Sequence, residues 1–324
     1  SKSALRTYLR QGLHALWPSR CDRLRNDSPK SSGLLKRSPW PIDAMPMNTR
    51  DLDHKLSIPD VQAYRDQRNL PIQRVGVRGL QYPLRWRAND GVQQTIMQAS
   101  LDVALPAEQK GTHMSRFIAL LEALGEGDAL DLSGLLRLHL DMLDRLHAHE
   151  GQIEFNFPLF LKKTAPVSGV QSLLDYQIAI RTLGNAEQPQ CELSVTAPVT
   201  SLCPCSKEVS DYGAHNQRSH LQLEVRVDPG RLGSFSAEAL IRIAESQASS
   251  EVFGMLKRVD EKFVTEKAYD NPKFVEDLVR DVAAALKASQ DRWGITAYRV
   301  RAENFESIHN HSAWAELRSE HWSS

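Results

Sequence analysis

The chain has 324 residues, 41% hydrophobic and 25% charged, which is the composition of a globular protein that can bury a large core. Its 40 basic and 40 acidic side chains balance to a formal net charge of zero, which argues against nucleic acid or an anionic membrane as partner. Because no apolar run reaches about eighteen residues and the four cysteines form no disulfide framework, we expect a cytoplasmic protein with reduced thiols and no membrane-spanning helix.

Residues 1–58 differ from the rest of the sequence. They are rich in Arg, Lys, Ser and Pro and show no sustained hydrophobic period. Three interpretations compete: a transit-like presequence, a basic arm that binds a polyanion, and a disordered tail. The tail could include sequence upstream of a true start at Met45 or Met47. We favour the tail, because a polar segment without a core has no reason to order.

Hydrophobic periodicity predicts the same order of elements twice: strand, strand, helix, helix, strand, strand. The first set comprises strands 72–78 and 92–105, helices 114–124 and 132–146, and strands 152–162 and 172–182. The second set comprises strands 191–199 and 219–227, helices 237–251 and 273–289, and strands 295–302 and 312–317. Runs of strands around helix pairs predict an α+β fold with antiparallel sheets and paired helices on one face.

Residues 201–220 carry the strongest chemical signal, because they hold two of the four cysteines and two of the eleven histidines. Thiolate and imidazole are ligands that first-row metals prefer. The Cys-Pro-Cys spacing of residues 203–205 is too tight for a zinc ribbon. In an extended segment the two cysteines would face the same way, so that one could bind a metal beside the other. Gly213 would let His215 and His220 fold back on them, and the alternative is a pair of buried, reduced cysteines near surface histidines.

This stretch resembles the signature of GTP cyclohydrolase type IB, a bacterial folate-pathway family with the tunnelling fold (T-fold). Four further stretches resemble the same family in the same order, at residues 105–117, 162–176, 259–277 and 303–312. The resemblance runs from about residue 60 to about residue 317. It implies two T-fold domains in tandem, residues 59–188 and 189–324, that assemble through their sheet edges into a homo-oligomer, which we expect to be a tetramer.

The resemblance implies a GTP cyclohydrolase I activity, which converts GTP and water to 7,8-dihydroneopterin triphosphate and formate in the first step of tetrahydrofolate biosynthesis. Water adds at C8 of guanine, and a divalent metal suits that step because it lowers the pKa of bound water. The implied ligands are Cys203, His215 and Glu261, whose mixed donor set admits Zn²⁺, Mn²⁺ or Fe²⁺. Without the resemblance, Glu261 would be interpreted as a solvated charge.

The resemblance also implies roles for four other residues around the metal. Cys205 is expected to act in catalysis together with the ligand Cys203, as a proton donor or a fourth ligand. His309 is expected to shuttle protons and His311 to bind substrate, although a His-x-His metal pattern on a strand end is a rival role for both. Glu276 is expected to bind the N1–H and amino group of guanine, and its alternative role is a favourable charge at a helix N-terminus.

The triphosphate of GTP requires several positive charges. The candidates in the matching stretches are Lys110, His113, Arg116, Lys162, Lys163 and Arg218. Spacing does not say which of them contact phosphate. No Walker-type Gly-rich loop is present, which disfavours a P-loop nucleotidase.

Two other functions fit the same residues. Another T-fold enzyme of pterin or deazaguanine chemistry, such as a nitrile reductase, would use a cysteine as covalent nucleophile and NADPH as reductant. Release of formate from GTP without NADPH would separate the two enzymes. A structural metal-binding domain would unfold when the metal is removed, whereas a metalloenzyme would stay folded but inactive.

Overall fold

The computed structural model describes residues 59–322, so the predicted basic tail at residues 1–58 lies outside the described residues. The strands are β1 (Ile72–Ala88), β2 (Gly91–Leu105), β3 (Glu150–Thr164), β4 (Gln171–Asn185), β5 (Gln190–Leu202), β6 (Asn216–Val227), β7 (Ser250–Glu251), β8 (Ile295–Asn304) and β9 (Ala313–Arg318). The α-helices are α1 (Met114–Glu126), α2 (Leu132–Leu146), α3 (Pro204–Val209), α4 (Ala237–Gln247), α5 (Arg258–Asp270) and α6 (Val275–Trp293). Within the described range no helix is both long enough and apolar enough to cross a membrane.

All strands of the described range join one antiparallel sheet in the order β1-β2-β3-β4-β5-β6-β8-β9, and the short β7 pairs with β5. The predicted domain boundary between residues 188 and 189 falls in the turn between β4 and β5. These two strands pair from Gln177–Thr196 to Leu183–Gln190, so the sheet is continuous across the turn. The division into tandem T-fold domains stays a prediction.

One face of the sheet is apolar and carries the helices, as the α+β prediction requires. Alternation in β2 buries Met97, Leu101 and Val103 on this face, where α1 and α2 cover the first strands and α4 and α6 cover the later ones. Full burial of one such side chain contributes about 1.5–3 kcal/mol to the free energy of unfolding. The helix prediction is most accurate for α2, whose apolar spacing defines both of its ends.

The opposite face of the sheet is polar and contains three buried carboxylates that bind arginines of neighbouring strands. The pairs are Asp102 with Arg74, Glu192 with Arg181 and Arg226, and Glu224 with Arg299 and Arg301. Burial raises the pKa of Glu192, but the hydrogen bonds from Arg226 and Arg181 lower this pKa by a larger amount. The pKa of Glu192 therefore lies below its ordinary value. Glu192 is therefore held ionised, and all three carboxylates have the arginine partners that a buried carboxylate requires.

Two parts of the helix prediction are wrong. The helix predicted at residues 237–251 ends at Gln247, because Ser250 and Glu251 pair with β5 as strand β7. The helices α3 and α5 were not predicted. The first has only six residues, and the second has only Asp260 and Ala268 among its buried residues, so neither produces an apolar stripe in the sequence.

A buried histidine in α2 should make stability depend on pH. His139 is fully buried, its Nε2 lies 3.2 Å from the carbonyl oxygen of Gly184, and its Nδ1 has no hydrogen-bond partner among the described residues. Burial lowers the pKa of His139 below the ordinary value of 6.5, while the hydrogen bond to Gly184 raises it by less. The folded chain therefore keeps this imidazole neutral at a pH where the unfolded chain binds a proton.

Protonation of the unfolded state makes the free energy of unfolding decrease as the pH falls below about 6.5, by at most about 1.4 kcal/mol per pH unit for one group. We expect His139→Gln to reduce this slope, measured as urea midpoints between pH 5 and 8. The matched control is His149→Gln at an exposed position, which should keep the wild-type slope. An unchanged slope in His139→Gln would show that other groups cause the pH dependence.

Candidate active site

The site forms where β5 ends and β6 begins. Leu202 of β5 and Asn216 of β6 form the last residue pair between these strands. Cys203 directly follows Leu202, and His215 directly precedes Asn216. The backbone N–H of Cys203 donates to the carbonyl of His215 at 3.2 Å. Ser206 closes the loop: its Oγ donates to the Cys203 carbonyl at 3.1 Å and accepts from the His215 N–H at 3.2 Å. Strand pairing thus brings a thiol and an imidazole together.

The two cysteines of the Cys-Pro-Cys motif do not lie on an extended segment. Cys203 is the N-cap of α3, where its Sγ accepts from the N–H of Ser206 at 3.4 Å, and Pro204 occupies the first helical turn. Cys205 is exposed within that helix. The expectation that both side chains face one way as in a strand is therefore wrong, because a proline at the first helical position starts a helix here. The catalytic role of Cys205 stays a prediction.

The loop between β8 and β9 lies against His215. Ser307 Oγ is 3.3 Å from His215 Nδ1. His309 and His311 follow in the same loop, exposed, with their rings stacked at a centroid distance of 5.1 Å. The two histidines are not on a strand end as expected, since β8 ends at Asn304 and turns follow. Their stacking places the two rings side by side in the loop whose Ser307 contacts His215.

The start of α6 is fixed to the end of β5. The N–H of Lys273 donates to the carbonyl of Leu202 at 3.0 Å, and Ser201 Oγ donates to the carbonyl of Lys273 at 3.0 Å. Glu276 follows in the first turn of α6, and it is exposed. Its carboxylate has no ion pair or hydrogen bond to the residues that the structure describes. An unpaired carboxylate is thus presented at the same end of the sheet as Cys203.

Glu261 lies at the start of α5, beside a buried carboxylate. Asp260 accepts from the N–H groups of Val167, Ser168 and Lys257 at 2.9, 2.8 and 2.8 Å and from Ser168 Oγ at 2.5 Å. Burial raises the pKa of Asp260, but these hydrogen bonds, the Ser168 hydroxyl first, hold it well below its ordinary value. The ionised Asp260 therefore binds the loop after β3 to the start of α5. The exposed Glu261 is the next residue of this helix.

The other end of α5 contacts α3, the helix that Cys203 caps. Lys207 of α3 donates to the carbonyl of Tyr269 and lies over its ring. Glu261 precedes Tyr269 by eight residues, which is roughly 12 Å along a helix. Among the described residues, Glu261 does not converge with Cys203 and His215 into a group of three possible ligands.

The predicted phosphate-binding residues divide between the two ends of the sheet. Lys110, His113 and Arg116 follow β2, and pairing through β3 and β4 places the end of β2 level with the start of β5. Since the 13 residues of β5 rise about 3.3 Å each, these three side chains lie roughly 40 Å from Cys203 along the strands. One chain alone does not bring them to the Cys203–His215 pair.

The remaining basic candidates lie at the Cys203 end. Arg218 and Lys162 are both exposed there. Lys163 instead forms an ion pair of 2.5 Å with Glu245, whose same oxygen accepts from the hydroxyl of Tyr176 at 2.6 Å. The charge of Lys163 is therefore already neutralised within the chain, which leaves Arg218 and Lys162 as the available cations of this end among the candidates.

Comparison with known proteins identifies the family. The family model described as Type I GTP cyclohydrolase folE2 matches residues 58–315 of this chain. The chain belongs to this family. The GTP cyclohydrolase FolE2 of Bordetella pertussis is 55% identical over 265 residues, which cover 82% of this chain and 97% of that protein. The GTP cyclohydrolase FolE2 of Ralstonia nicotianae is 54% identical over 267 residues, with coverage of 82% and 96%.

A solved structure gives a weaker likeness. The uricase from Arthrobacter globiformis aligns with a TM-score of 0.46 and 8% identity, over 82% of this chain and 98% of that chain. A likeness at this level carries no argument about the fold or chemistry of this member of the Type I GTP cyclohydrolase family.

Cys203 offers a thiolate and His215 an imidazole. These two donors suit a metal ion of borderline softness, such as Zn²⁺. Among residues 59–322, no three Cys, His, Asp or Glu side chains converge closely enough to hold an ion. The assignment of Cys203, His215 and Glu261 as a ligand set therefore stays a prediction.

Sequence reasoning missed Ser206, Gln217 and Ser307, which all contact His215. For Gln217 a signal was present. Strand alternation carried back from the strand predicted at residues 219–227 puts residues 217 and 219 on one face, with residue 215 just before β6 on the same side.

Proposed function

We propose that this chain is a GTP cyclohydrolase I, which hydrolyses GTP to 7,8-dihydroneopterin triphosphate and formate at the start of folate biosynthesis. The observation that carries the proposal is the joining of Cys203 and His215 by the β5–β6 pairing in a chain of this family. The free cysteines at positions 191, 203 and 205 favour a reducing, cytoplasmic compartment.

We infer that Cys203, His215 and Glu261 hold a divalent ion, Zn²⁺ or Mn²⁺ with Fe²⁺ also admissible. Such an ion, when bound, supplies a water of lowered pKa for addition at C8 of guanine. Its thiolate and imidazole ligands would come from the loop around α3, and the carboxylate would come from α5. Because Glu261 is exposed and does not converge with Cys203 and His215 within the described chain, we propose that assembly or substrate binding brings it to the ion.

The chain's own side chains would bind the base and move protons. Glu276, unpaired at the start of α6, would accept from N1–H and the amino group of guanine. Ring opening and departure of formate require protons to reach ring nitrogens and leave the added water. The proposal that His309 and Cys205 carry those protons is supported by the position of His309 in the loop that contacts His215 through Ser307 and by the exposure of Cys205. His311, stacked on His309, would contact the substrate.

We further propose that the active site is shared between subunits of a homo-oligomer, which we expect to be a tetramer. Its support is the separation of roughly 40 Å between Cys203 and the cations after β2, which only a second copy could close. The outer strands β1 and β9 offer open edges for such pairing. The order of elements supports tandem T-fold halves as well: β1β2α1α2β3β4 is followed by β5β6α4α6β8β9, with α3, β7 and α5 as insertions.

The proposal is tested by metal removal and replacement. Purified protein is stripped with a chelator and assayed with GTP after addition of Zn²⁺, Mn²⁺, Fe²⁺ or buffer, by fluorescence of the oxidised pterin product. We expect no turnover in buffer, recovery with at least one metal, no requirement for NADPH, and an unchanged circular dichroism spectrum of the stripped protein. Absence of pterin product with every metal would refute the function, and unfolding of the stripped protein would indicate a structural metal.

A further inference from the structure

We propose that Gln217 is a positioning residue that fixes the tautomer of His215, so that the bare Nε2 atom of this ring faces the metal. The inference rests on the proposed role of His215 as a ligand. The supporting observation is a buried hydrogen-bond network that runs from the start of α6 to the imidazole of His215. In this network the donor and acceptor of each hydrogen bond follow from those of the bond before it.

The network begins at the carbonyl of Lys273, which can only accept. Ser201 Oγ lies 3.0 Å from this oxygen, so the single hydroxyl hydrogen of Ser201 is donated there. Ser201 is fully buried, which excludes solvent as a competing partner. The lone pairs of Ser201 Oγ are therefore left to accept hydrogen bonds from other groups.

Two side-chain amides meet Ser201 Oγ and must donate to it. Gln217 Nε2 is 3.5 Å away and Asn304 Nδ2 is 3.4 Å away. The Asn304 amide therefore turns its Nδ2 to Ser201 Oγ and its Oδ1 to Ser219 Oγ, which donates to it at 2.7 Å. Gln217, Ser219 and Asn304 are all buried, so these amides have few other partners. With its nitrogen directed at Ser201, Gln217 turns its oxygen towards His215.

Gln217 Oε1 lies 3.0 Å from His215 Nδ1. An amide oxygen only accepts, so the hydrogen of the neutral imidazole must be on Nδ1. Ser307 Oγ, 3.3 Å from the same nitrogen, can then only be a second acceptor. A neutral imidazole carries one ring hydrogen, so Nε2 keeps a free lone pair, which is the form that binds a metal. Histidine ligands commonly donate their other N–H to such an acceptor, which orients the ring and raises its basicity.

The same network reaches the part of the chain proposed to bind guanine. Lys273, its first member, also donates its backbone N–H to Leu202 and lies three residues before Glu276. Ser201 lies between Gln217 and the start of α6, whereas Gln217 contacts His215 directly. Loss of the Gln217 amide should therefore weaken metal binding, while the start of α6 keeps its bond to Leu202.

The test measures metal affinity rather than turnover. Zn²⁺ dissociation constants are determined by competition with a chelating dye for the wild-type protein, Gln217→Met and Gln217→Glu. The Met variant keeps the length of the side chain and removes the acceptor, so we expect it to bind Zn²⁺ about 10- to 100-fold more weakly. The Glu variant keeps an acceptor for Nδ1–H and should bind within about threefold of wild type or more tightly.

A purely structural role predicts a different pattern. Gln217→Glu removes the amide hydrogens that Ser201 accepts, so a residue needed only for that bond would make the Glu and Met variants equally weak. Ser219→Ala is the matched control, since it disturbs the network at Asn304 without contacting His215, and it should keep wild-type affinity. If Gln217→Met does not fold, as judged by its melting curve, Gln217→Leu replaces it.

One further variant separates failure of this inference from failure of the proposed ligand. His215→Ala should lose tight Zn²⁺ binding. If it does so while Gln217→Met binds like wild type, the positioning role is refuted and the ligand role remains. If His215→Ala itself binds like wild type, the ligand assignment fails and the inference fails with it.

Discussion

Cys203→Ala and His215→Ala should each abolish GTP turnover, with a fall in kcat of roughly 10³-fold or more, the scale expected when a group that stabilises developing charge is lost. Both should remain folded. Within residues 59–322 the Cys203 side chain accepts one hydrogen bond, from the N–H of Ser206 at 3.4 Å, and loss of a helix N-cap costs about 0.5–2 kcal/mol. The measurements are initial rates with GTP after metal stripping and replacement, bound metal per chain, and thermal melting.

Cys191→Ala is the matched control for the cysteine variant. Cys191 is a free, fully buried thiol at the start of β5, the end of that strand far from the site, and burial raises its pKa to about 12. Its replacement should lower the melting temperature by a few degrees at most for the loss of one small buried group, and leave turnover intact. Near-normal turnover in Cys203→Ala or His215→Ala at full metal occupancy would mean that the ligand assignment is wrong.

Glu276→Gln should lower kcat/KM for GTP by roughly 30- to 1,000-fold without loss of metal or of folded structure. Guanine presents N1–H and an amino group side by side, and a carboxylate offers two acceptors to match them. The amide replaces one acceptor by a donor that faces a donor. Such a mismatch costs about 2–4 kcal/mol of transition-state binding when one partner is charged.

Asp277→Asn provides the control for a simple charge effect. Asp277 lies in the same first turn of α6 and accepts from the N–H of Phe274 at 3.0 Å, so it contributes to the helix start as Glu276 would. We expect Asp277→Asn to lower stability slightly and to keep kcat/KM within a few fold of wild type. If Glu276→Gln retains GTP efficiency within about threefold of wild type at equal metal occupancy, only the helix-terminus role remains for Glu276.

The elements with a sustained apolar period could be predicted from the sequence. The α2 prediction at residues 132–146 is confirmed at both ends, because its buried face repeats every three to four residues. The helix α3 could not be found in this way, since six residues begun by Pro204 have no period to detect. For α5 the reason is different: the fully buried Asp260 is fixed by hydrogen bonds from a distant turn, which a sequence window cannot contain.

The candidate site was predicted in its residue types and only partly in its arrangement. Gly213, at a φ of +130°, lets the chain turn back so that His215 meets Cys203, as its conformational freedom suggested. The sequence could not show that Lys110 and His113 lie at the far end of the sheet from this pair. Their position depends on strand pairing through β3 and β4, which is a property of topology and not of local pattern.

The most direct test of the central claim is the fate of guanine C8. Metal-loaded protein is incubated with GTP carrying ¹³C at C8, and the products are followed by ¹³C NMR alongside pterin fluorescence. We predict one equivalent of labelled formate for each 7,8-dihydroneopterin triphosphate formed, without NADPH. Consumption of GTP to GDP or phosphate with no labelled formate, or intact GTP at full metal occupancy, would contradict the assignment of this chain as a GTP cyclohydrolase I.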